Sequence, residues 1–411
     1  MPRVPRHLSS NPRVLVAHPG TQHSHLLARE LENSGQLGEF WTGFALSSAF
    51  AERWLRSKFL RRLFCRRIIA DIPSEKLRIA PFNELRALAA VRMGRDANWT
   101  IHRRNERFQN KVKQTSIEQS DVVIGFDTCS WLLASRCKKA GVPFILEQTT
   151  PHPVTKIGIF QFLESNYPEW IRAGHSKPPA LIEIEMLEHQ LADIIVVPSR
   201  YAGATLTDNG VDTLKIRRIP FGVNTQLFKP GDPGPATATR PLRFVYAGQI
   251  SAMKGVPVLL EAWKNIPRGT AELVLVGQAP DVVQNLISDL PGVIHVPPLP
   301  QSDLAHLLGQ CDVFVFPSFF EGLARVLLEA MACGLPVIAS TASGGCDVIE
   351  PEKNGLLMEA GDVAGLVEAI RYFIAHPEKL PAMKNSARAR AEEFSWSRYG
   401  AQWQQLIQEL V

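Results

Sequence analysis

The sequence is poor in cysteine. Its six cysteines, Cys65, Cys129, Cys137, Cys311, Cys333 and Cys346, are scattered among 411 residues with no Cys-x-x-Cys pair. That spacing points to reduced thiols rather than a disulfide framework or a zinc site. No stretch reaches the roughly 18 continuous apolar residues of a membrane-spanning helix. The opening "MPRVPRHLSSNPRVLVAHPG" lacks the apolar core of a signal peptide, so a cytoplasmic location is expected. Short-period repeats are absent. Neither candidate first strand is followed by Gly-x-Gly-x-x-Gly: "AHPGTQHS" and "YAGQISAM" both fail it. A nicotinamide dehydrogenase is disfavoured on that ground.

What is present is a soluble-type composition, 45% hydrophobic and 21% charged, at a length that fits two domains. The net charge of +5 hides an asymmetry. Residues 1–200 hold 28 Lys/Arg against 19 Asp/Glu, and residues 201–411 hold 17 against 21. Within 51–113 the count is 17 against 6. An acidic partner would sit on the N-terminal half.

Two series of apolar runs alternate with helical patterns. "RVLVAH" (13–18), "DVVIGF" (121–126), "PFILEQ" (143–148) and "DIIVVPS" (193–199) are apolar without alternation, as strands covered on both faces should be. The Pro/Gly/Thr-rich stretch 228–244 reads as a linker. Alternation then restarts with "RFVYAGQI", "AELVLVGQ", "VIHVPPL", "DVFVFPS" and "LPVIAS", and the chain ends in an amphipathic helix, "SWSRYGAQWQQLIQELV". The expected fold is α/β, with two Rossmann-like domains facing across a cleft.

The apolar stretch "SFFEGLARVLLEAMACGLPVIAS" nevertheless keeps Glu321 and Glu329. A strand followed by a helix from about Leu323 puts Glu321 on the connecting loop and Glu329 in the helix's second turn. Ligands of open α/β sheets bind at that edge, and carboxylates there accept bonds from sugar hydroxyls. The structural alternative is an exposed Arg325–Glu329 pair at i,i+4, worth only roughly 0.2–0.5 kcal/mol. Lys254-Gly255 before a helix places a cation where a diphosphate would face helix ends, though a lone Lys-Gly is usually a surface turn. Gly344-Gly345 allows close backbone approach.

In this order and spacing, "AGQISAMKG", "PSFFEGLARVLLEAMACGLPVIAS", "SGG" and "KNGLL" resemble the retaining sugar-nucleotide glycosyltransferases of family 4, which have the GT-B fold. "LADIIVVPSRYAGATL", "RIPFGVNTQLFKP" and "ILEQTTPH" extend the resemblance over nearly the whole chain. It implies an acceptor-binding domain at 1–225, a nucleotide-sugar-binding domain at 226–394, and a last helix, 395–411, packing back on the first. It also implies catalytic roles for Glu321, His152 and Lys254. Glu321 would contact the donor sugar, Lys254 the leaving diphosphate, and His152 the reacting centre; a loop His after a proline is the alternative for the last. Donor contacts would come from Gly20, Thr21, Gly248, Gln249, Lys254, Glu321, Gly322, Arg325 and Glu329, with Glu329 on the ribose. Gln249 stands where the family often has Arg, and Asn224 where it usually has Asp. Arg325 could share the charge work that Gln249 cannot do.

No Asp-x-Asp occurs, so no metal and no cofactor beyond the donor are expected. The partners implied are a nucleotide sugar and a glycan or lipid-linked acceptor, not nucleic acid. Cell-surface polysaccharide or glycoconjugate synthesis is the expected setting. A catalytically silent GT-B binding protein is the alternative, supported only by Gln249. Residues 52–69, with an apolar stripe and Arg61, Arg62, Arg66 and Arg67 on other faces, suggest peripheral contact with an anionic membrane. The other readings of that stretch are packing on the sheet or a grip on an anionic acceptor.

Overall fold

The computed structural model describes residues 11–20, 23–47, 68–69, 71–171, 177–231, 240–288 and 290–411. Thr21, most of the basic stretch at 52–69 and residues 232–239 of the linker lie outside the described residues.

The first sheet is built from β1 (Val14–His18), β2 (Leu37–Thr42), β5 (Leu77–Ile79), β6 (Val122–Phe126), β7 (Phe144–Glu147), β8 (Ile194–Val197) and β9 (Ile216–Arg218). A separate two-stranded ladder joins β3 (Leu46–Ser47) to β4 (Ile68–Ile69). The seven strands run β5-β2-β1-β6-β7-β8-β9, with every pair parallel. The second sheet has the order β12-β11-β10-β13-β14-β15. Its strands are β10 (Leu242–Ala247), β11 (Ala271–Val276), β12 (Val293–Val296), β13 (Val313–Phe316), β14 (Val337–Ser340) and β15 (Gly355–Met358).

Burial on both faces explains the unbroken apolar runs. In β1, Val14 and Val16 belong to one apolar cluster while Leu15 and Ala17 belong to another on the opposite face. Successive side chains point to opposite faces, so each face takes alternate residues and both favour apolar ones. The first cluster continues through Phe221, Val223 and Tyr399 into Val245 and Phe314 of the second sheet.

Strand order reverses between β1 and β6 in the first sheet and between β10 and β13 in the second. The carboxyl ends of strands beside such a reversal form a crevice, because the flanking helices leave on opposite faces. His18 and Asp127 stand at one crevice, Gly248 and Pro317 at the other.

The last helix, Trp396–Leu410, packs on the helix Ser24–Asn33. A Cβ on Gly400 would come within 2.6 Å of the Glu30 Cβ, so the two helices approach closely there. Tyr399 of the last helix donates to buried Glu147 at 2.8 Å, and His23 Nε2 lies 2.7 Å from the same oxygen. Backbone pairing of Val223 with the segment before the last helix (Val223 N to Phe394 O, 2.8 Å) closes the return.

Candidate active site

Glu321 lies on the loop between β13 and the helix Arg325–Ala332. That helix begins two residues later than the expected Leu323. The reason is local: Ala324 N donates to Ser343 O at 3.1 Å, and Gly322 O accepts from Ser199 Oγ, so the backbone from 322 to 324 is held in a loop. Glu321 N donates to Ala342 O at 2.9 Å. Phe319 N donates to Met253 O at 3.0 Å, tying the loop to the turn that carries Lys254.

That turn is glycine-dependent. Gly255 has φ of 73°, and a Cβ there would overlap the Pro317 carbonyl. The close approach brings Lys254 Nζ onto Glu321 Oε1 as an ion pair, with Ser318 Oγ 3.3 Å from the same oxygen. Both side chains are about four-fifths covered, at 20% and 19% exposure. Gln249 does not join them: its side chain is exposed, and its carbonyl accepts from buried Tyr246 at 2.7 Å. Gly248 is exposed beside it.

Gly322 meets the first sheet. A Cβ on it would overlap the Thr149 carbonyl and come within 2.9 Å of Pro198. Thr149 is itself fixed by Asp127, whose Oδ1 accepts from Thr149 Oγ1 at 2.7 Å; Oδ2 accepts from Thr150 Oγ1 at 2.9 Å. Asp347 adds a second tie, accepting from Arg200 N at 2.9 Å and pairing with Arg218.

Arg325 and Glu329 face a cavity of about 1270 Å³ between the sheets, lined on its far side by Gly20 and Thr42. The Arg325 Nη2 lies 3.8 Å from Glu329 Oε1, and the guanidinium stacks 5.6 Å from the Trp396 ring centre. The Arg325 Nε is buried without a hydrogen-bond partner. Burial raises the Glu329 carboxyl above the ordinary range, and Arg325 opposes that shift. Asn224 also lines the cavity; its Oδ1 accepts from Gln226 N and Leu227 N, each at 3.1 Å. Gly20 N donates to His18 Nδ1 at 3.0 Å, and a Cβ on Gly20 would lie 2.9 Å from the His18 ring.

His152 stands apart from this cavity. It is buried as the N-cap of the helix Pro153–Asn166, where its Nδ1 accepts from Val154 N at 3.3 Å. Its ring centre lies 5.1 Å from that of His189. Burial, with Lys156 adding to it, lowers its pKa from 6.5 to about 4. The segment carrying it, 149–152, is nonetheless the one that abuts Gly322.

His18, Asp127, Ser199 and Asp347 were not singled out from the sequence. Three carry one signal: each ends or directly follows an apolar strand run, where parallel strands present their carboxyl ends. Asp347 carries no such signal, because its partners come from more than a hundred residues away. Among the described residues, no group of three or more His, Cys, Asp or Glu is placed to hold a metal ion. The five described cysteines are all unpaired. No helix among the described residues is long and apolar enough to cross a membrane.

Comparison with known proteins adds the family. Residues 233–390 match the family Glycosyl transferases group 1. The chain is 31% identical over 245 residues to D-inositol 3-phosphate glycosyltransferase 1 of Catenulispora acidiphila, an alignment covering 54% of this chain and 58% of that protein. It spans about half the length of the first curated relatives it matches. Its fold superposes on sucrose-phosphate synthase of Thermosynechococcus elongatus with a TM-score of 0.65 at 20% identity, covering 97% of this chain and 99% of the other. It superposes equally on Anabaena HepE in complex with UDP and glucose, with a TM-score of 0.65 at 17% identity and coverage of 97% and 100%. The chain has the GT-B fold and carries a glycosyl transferases group 1 domain at residues 233–390.

Proposed function

We propose that the protein is a retaining, metal-independent glycosyltransferase that moves a sugar from a nucleoside diphosphate to an acceptor held against the first sheet. The observation that carries this reading is the meeting of Lys254 and Glu321 with Gly322 against Thr149. A cation and a carboxylate from two loops of one sheet stand at the point where the other sheet closes on them. In the reaction the bond from the anomeric carbon to the diphosphate oxygen breaks, and the electron pair leaves with the diphosphate. A bond from the acceptor oxygen forms on the same face of the sugar, and the acceptor's hydroxyl proton passes to the departing diphosphate oxygen. Lys254 stabilises the departing charge, while Glu321 accepts from sugar hydroxyls as positive charge grows on the ring. The donor must therefore separate the Lys254–Glu321 pair and take its two halves for itself.

Arg325 and Glu329 take the nucleotide in this reading. The carboxylate accepts from ribose hydroxyls, and the unpartnered Arg325 Nε supplies the positive charge that Gln249 lacks. His152 is a neutral imidazole whose Nδ1 is occupied by Val154, so its Nε2–H is the atom available to donate beside the sugar. The relatives include proteins named as inositol phosphate glycosyltransferases, and HepE was solved with UDP and glucose. Those names support a nucleotide-sugar donor. The acceptor side, a glycan or lipid-linked molecule in cell-surface glycoconjugate synthesis, rests on the basic N-terminal half, with contact to an anionic membrane through 52–69.

A thermal-shift screen of UDP, GDP, ADP and their sugars tests the reading, since a ligand that binds only the folded state raises its melting temperature. One nucleoside diphosphate should stand out, and its sugar form should be hydrolysed slowly in the absence of acceptor. Binding without any hydrolysis or transfer would instead support the silent binding protein.

A further inference from the structure

The helix Pro81–Arg92 is built inside out. Only Glu84 and Ala87 of its residues are buried. Its large apolar side chains face water: Phe82 is 76% exposed, and Leu85, Leu88 and Val91 are exposed with it. Met93, just past its end, is 73% exposed, and Trp99 and Ile101 of the next helix, Ala97–Lys111, are exposed too. A short helix that buries a carboxylate and exposes four large apolar groups, with Met93 beside its end as a fifth, presents an interaction surface, since scattered single exposures are ordinary and a cluster on one element is not.

The buried carboxylate explains where that surface points. Glu84 Oε2 accepts from Phe44 N at 2.7 Å and would lie 2.8 Å from a Cβ on Gly43. The same Cβ would overlap the Pro19 carbonyl. Glu84 therefore clamps the helix to the turn at 43–44, against the segment that leads into Gly20 at the cavity. The apolar face is held at the edge of the cleft.

Charge selects the occupant. Residues 81–113 carry eight Lys/Arg against three Asp/Glu, and one of the three acids is the buried Glu84. Arg86, Arg92, Arg95, Arg103, Arg107 and Lys111 are exposed around the apolar groups. A second copy would set basic face against basic face. Residues 51–67 of this chain, with seven basic residues and one acidic, would do the same. An anionic bilayer satisfies both features: the basic rim meets head groups while Phe82, Leu85 and Met93 enter the acyl boundary. A nucleic acid would meet the charge but leave the apolar face in water.

We propose that the 81–93 face docks on an anionic lipid bilayer, setting the mouth of the cleft against the membrane surface. This extends the membrane contact suggested for 52–69 to a second, structurally defined face, and it stands apart from the transfer reaction. Flotation with vesicles of phosphatidylcholine alone, and of phosphatidylcholine with phosphatidylglycerol, tests it. The parent should float with the anionic vesicles and keep a salt-resistant fraction. The triple variant Phe82→Ser, Leu85→Ser, Met93→Ser should bind those vesicles more weakly by about 10-fold for each side chain withdrawn. Its melting temperature and nucleotide binding should stay at the parent values. The separate variant Arg61→Gln, Arg62→Gln, Arg66→Gln, Arg67→Gln tests the other segment. Undiminished flotation of the triple variant would overturn the docking face, whatever the arginine variant does. A changed melting temperature in the triple variant would show that part of this chain covers the face, and conversion of a parent dimer to a monomer would assign it to a second copy. Either result would also overturn the proposal. Donor hydrolysis by the same variants reads the transfer reaction independently.

Discussion

Gly322→Ala tests the geometry of the closed site most directly. A methyl group at this position would overlap the Thr149 carbonyl oxygen and sit 2.8 Å from its carbon and 2.9 Å from Pro198 Cγ. Carbon atoms in ordinary contact stand roughly 3.5–4.0 Å apart, so the loop or the facing sheet must retreat by about 1 Å. Neither side yields easily. Thr149 is held by Asp127, and the loop is held by Ala342, Ser343 and Met253. The easier response is for the two sheets to part. A misplacement of about 1 Å can cost on the order of 100-fold in rate, because Lys254 and Glu321 would then stand off from an acceptor on the other side. Overpacking should cost about 1–3 kcal/mol of stability. Nucleotide affinity should change little, since Arg325 and Glu329 move with Gly322. Transfer or donor hydrolysis, nucleotide titration and small-angle scattering read the three effects separately. The control is Gly158→Ala, where a Cβ meets nothing within 4 Å and the helix should gain roughly 0.5–1 kcal/mol. If Gly322→Ala transfers sugar at the parent rate, or loses nucleotide binding as steeply as transfer, the closed-site reasoning fails.

Other expectations divide the site by function. Glu321→Gln should keep the fold and nucleotide affinity while lowering the turnover rate by at least about 100-fold, read by steady-state kinetics. Glu329→Ala should act on binding instead, weakening the nucleotide by roughly 10- to 100-fold in a titration. Burial depresses His18, His152 and His189 from 6.5 to about 4. The unfolded chain therefore takes up protons first as pH falls. Stability from these three should be complete above about pH 6.5. It should decline toward pH 4 by up to about 1.4 kcal/mol per unit for each imidazole, as denaturant titrations across that range would show.

The sheets were readable because their strands are short apolar runs buried on both faces, a pattern that few other structures produce. Val14 to Ala17 carry that signal plainly. The strand Leu37–Thr42 was harder to read, because Gly38 and Glu39 break its apolar run. β5 and β9 expose polar residues such as Arg78 and Arg218 at the sheet's edges, so their patterns are weak. The site divides in the same way. Glu321, Lys254 and Glu329 stand close in sequence to the glycines and helix starts that place them. Thr149 with Gly322, and Arg200 with Asp347, are meetings of distant segments with no local mark. The helix Pro81–Arg92 escaped notice for a different reason: its apolar residues face outward, so a rule that assigns such residues to the core misplaces its surface.

The two glutamates raise a question that an exposed helix stripe would have answered cheaply. Around Glu329, Leu327, Leu328, Ala330 and Met331 are all fully buried. The helix is therefore enclosed on most sides, and the side of Arg325 and Glu329 lines the cavity. The Glu329 side chain is 13% exposed, and its only ion-pair partner among the described residues stands 3.8 Å away, too far for a strong hydrogen bond. Burial raises its carboxyl rather than rewarding the charge. A surface pair would show the reverse: an exposed carboxylate, a short contact and little effect of burial. The Arg325 Nε is left without a partner in the same place. Buried polar groups normally find partners within the protein, and those that do not are either a cost the fold carries or a place reserved for something else. Here an acceptor and a donor are both under-satisfied, side by side, at the wall of a cavity large enough for a nucleotide. A ligand carrying hydroxyl donors and a negative charge completes both at once, which no substitution within the helix could do.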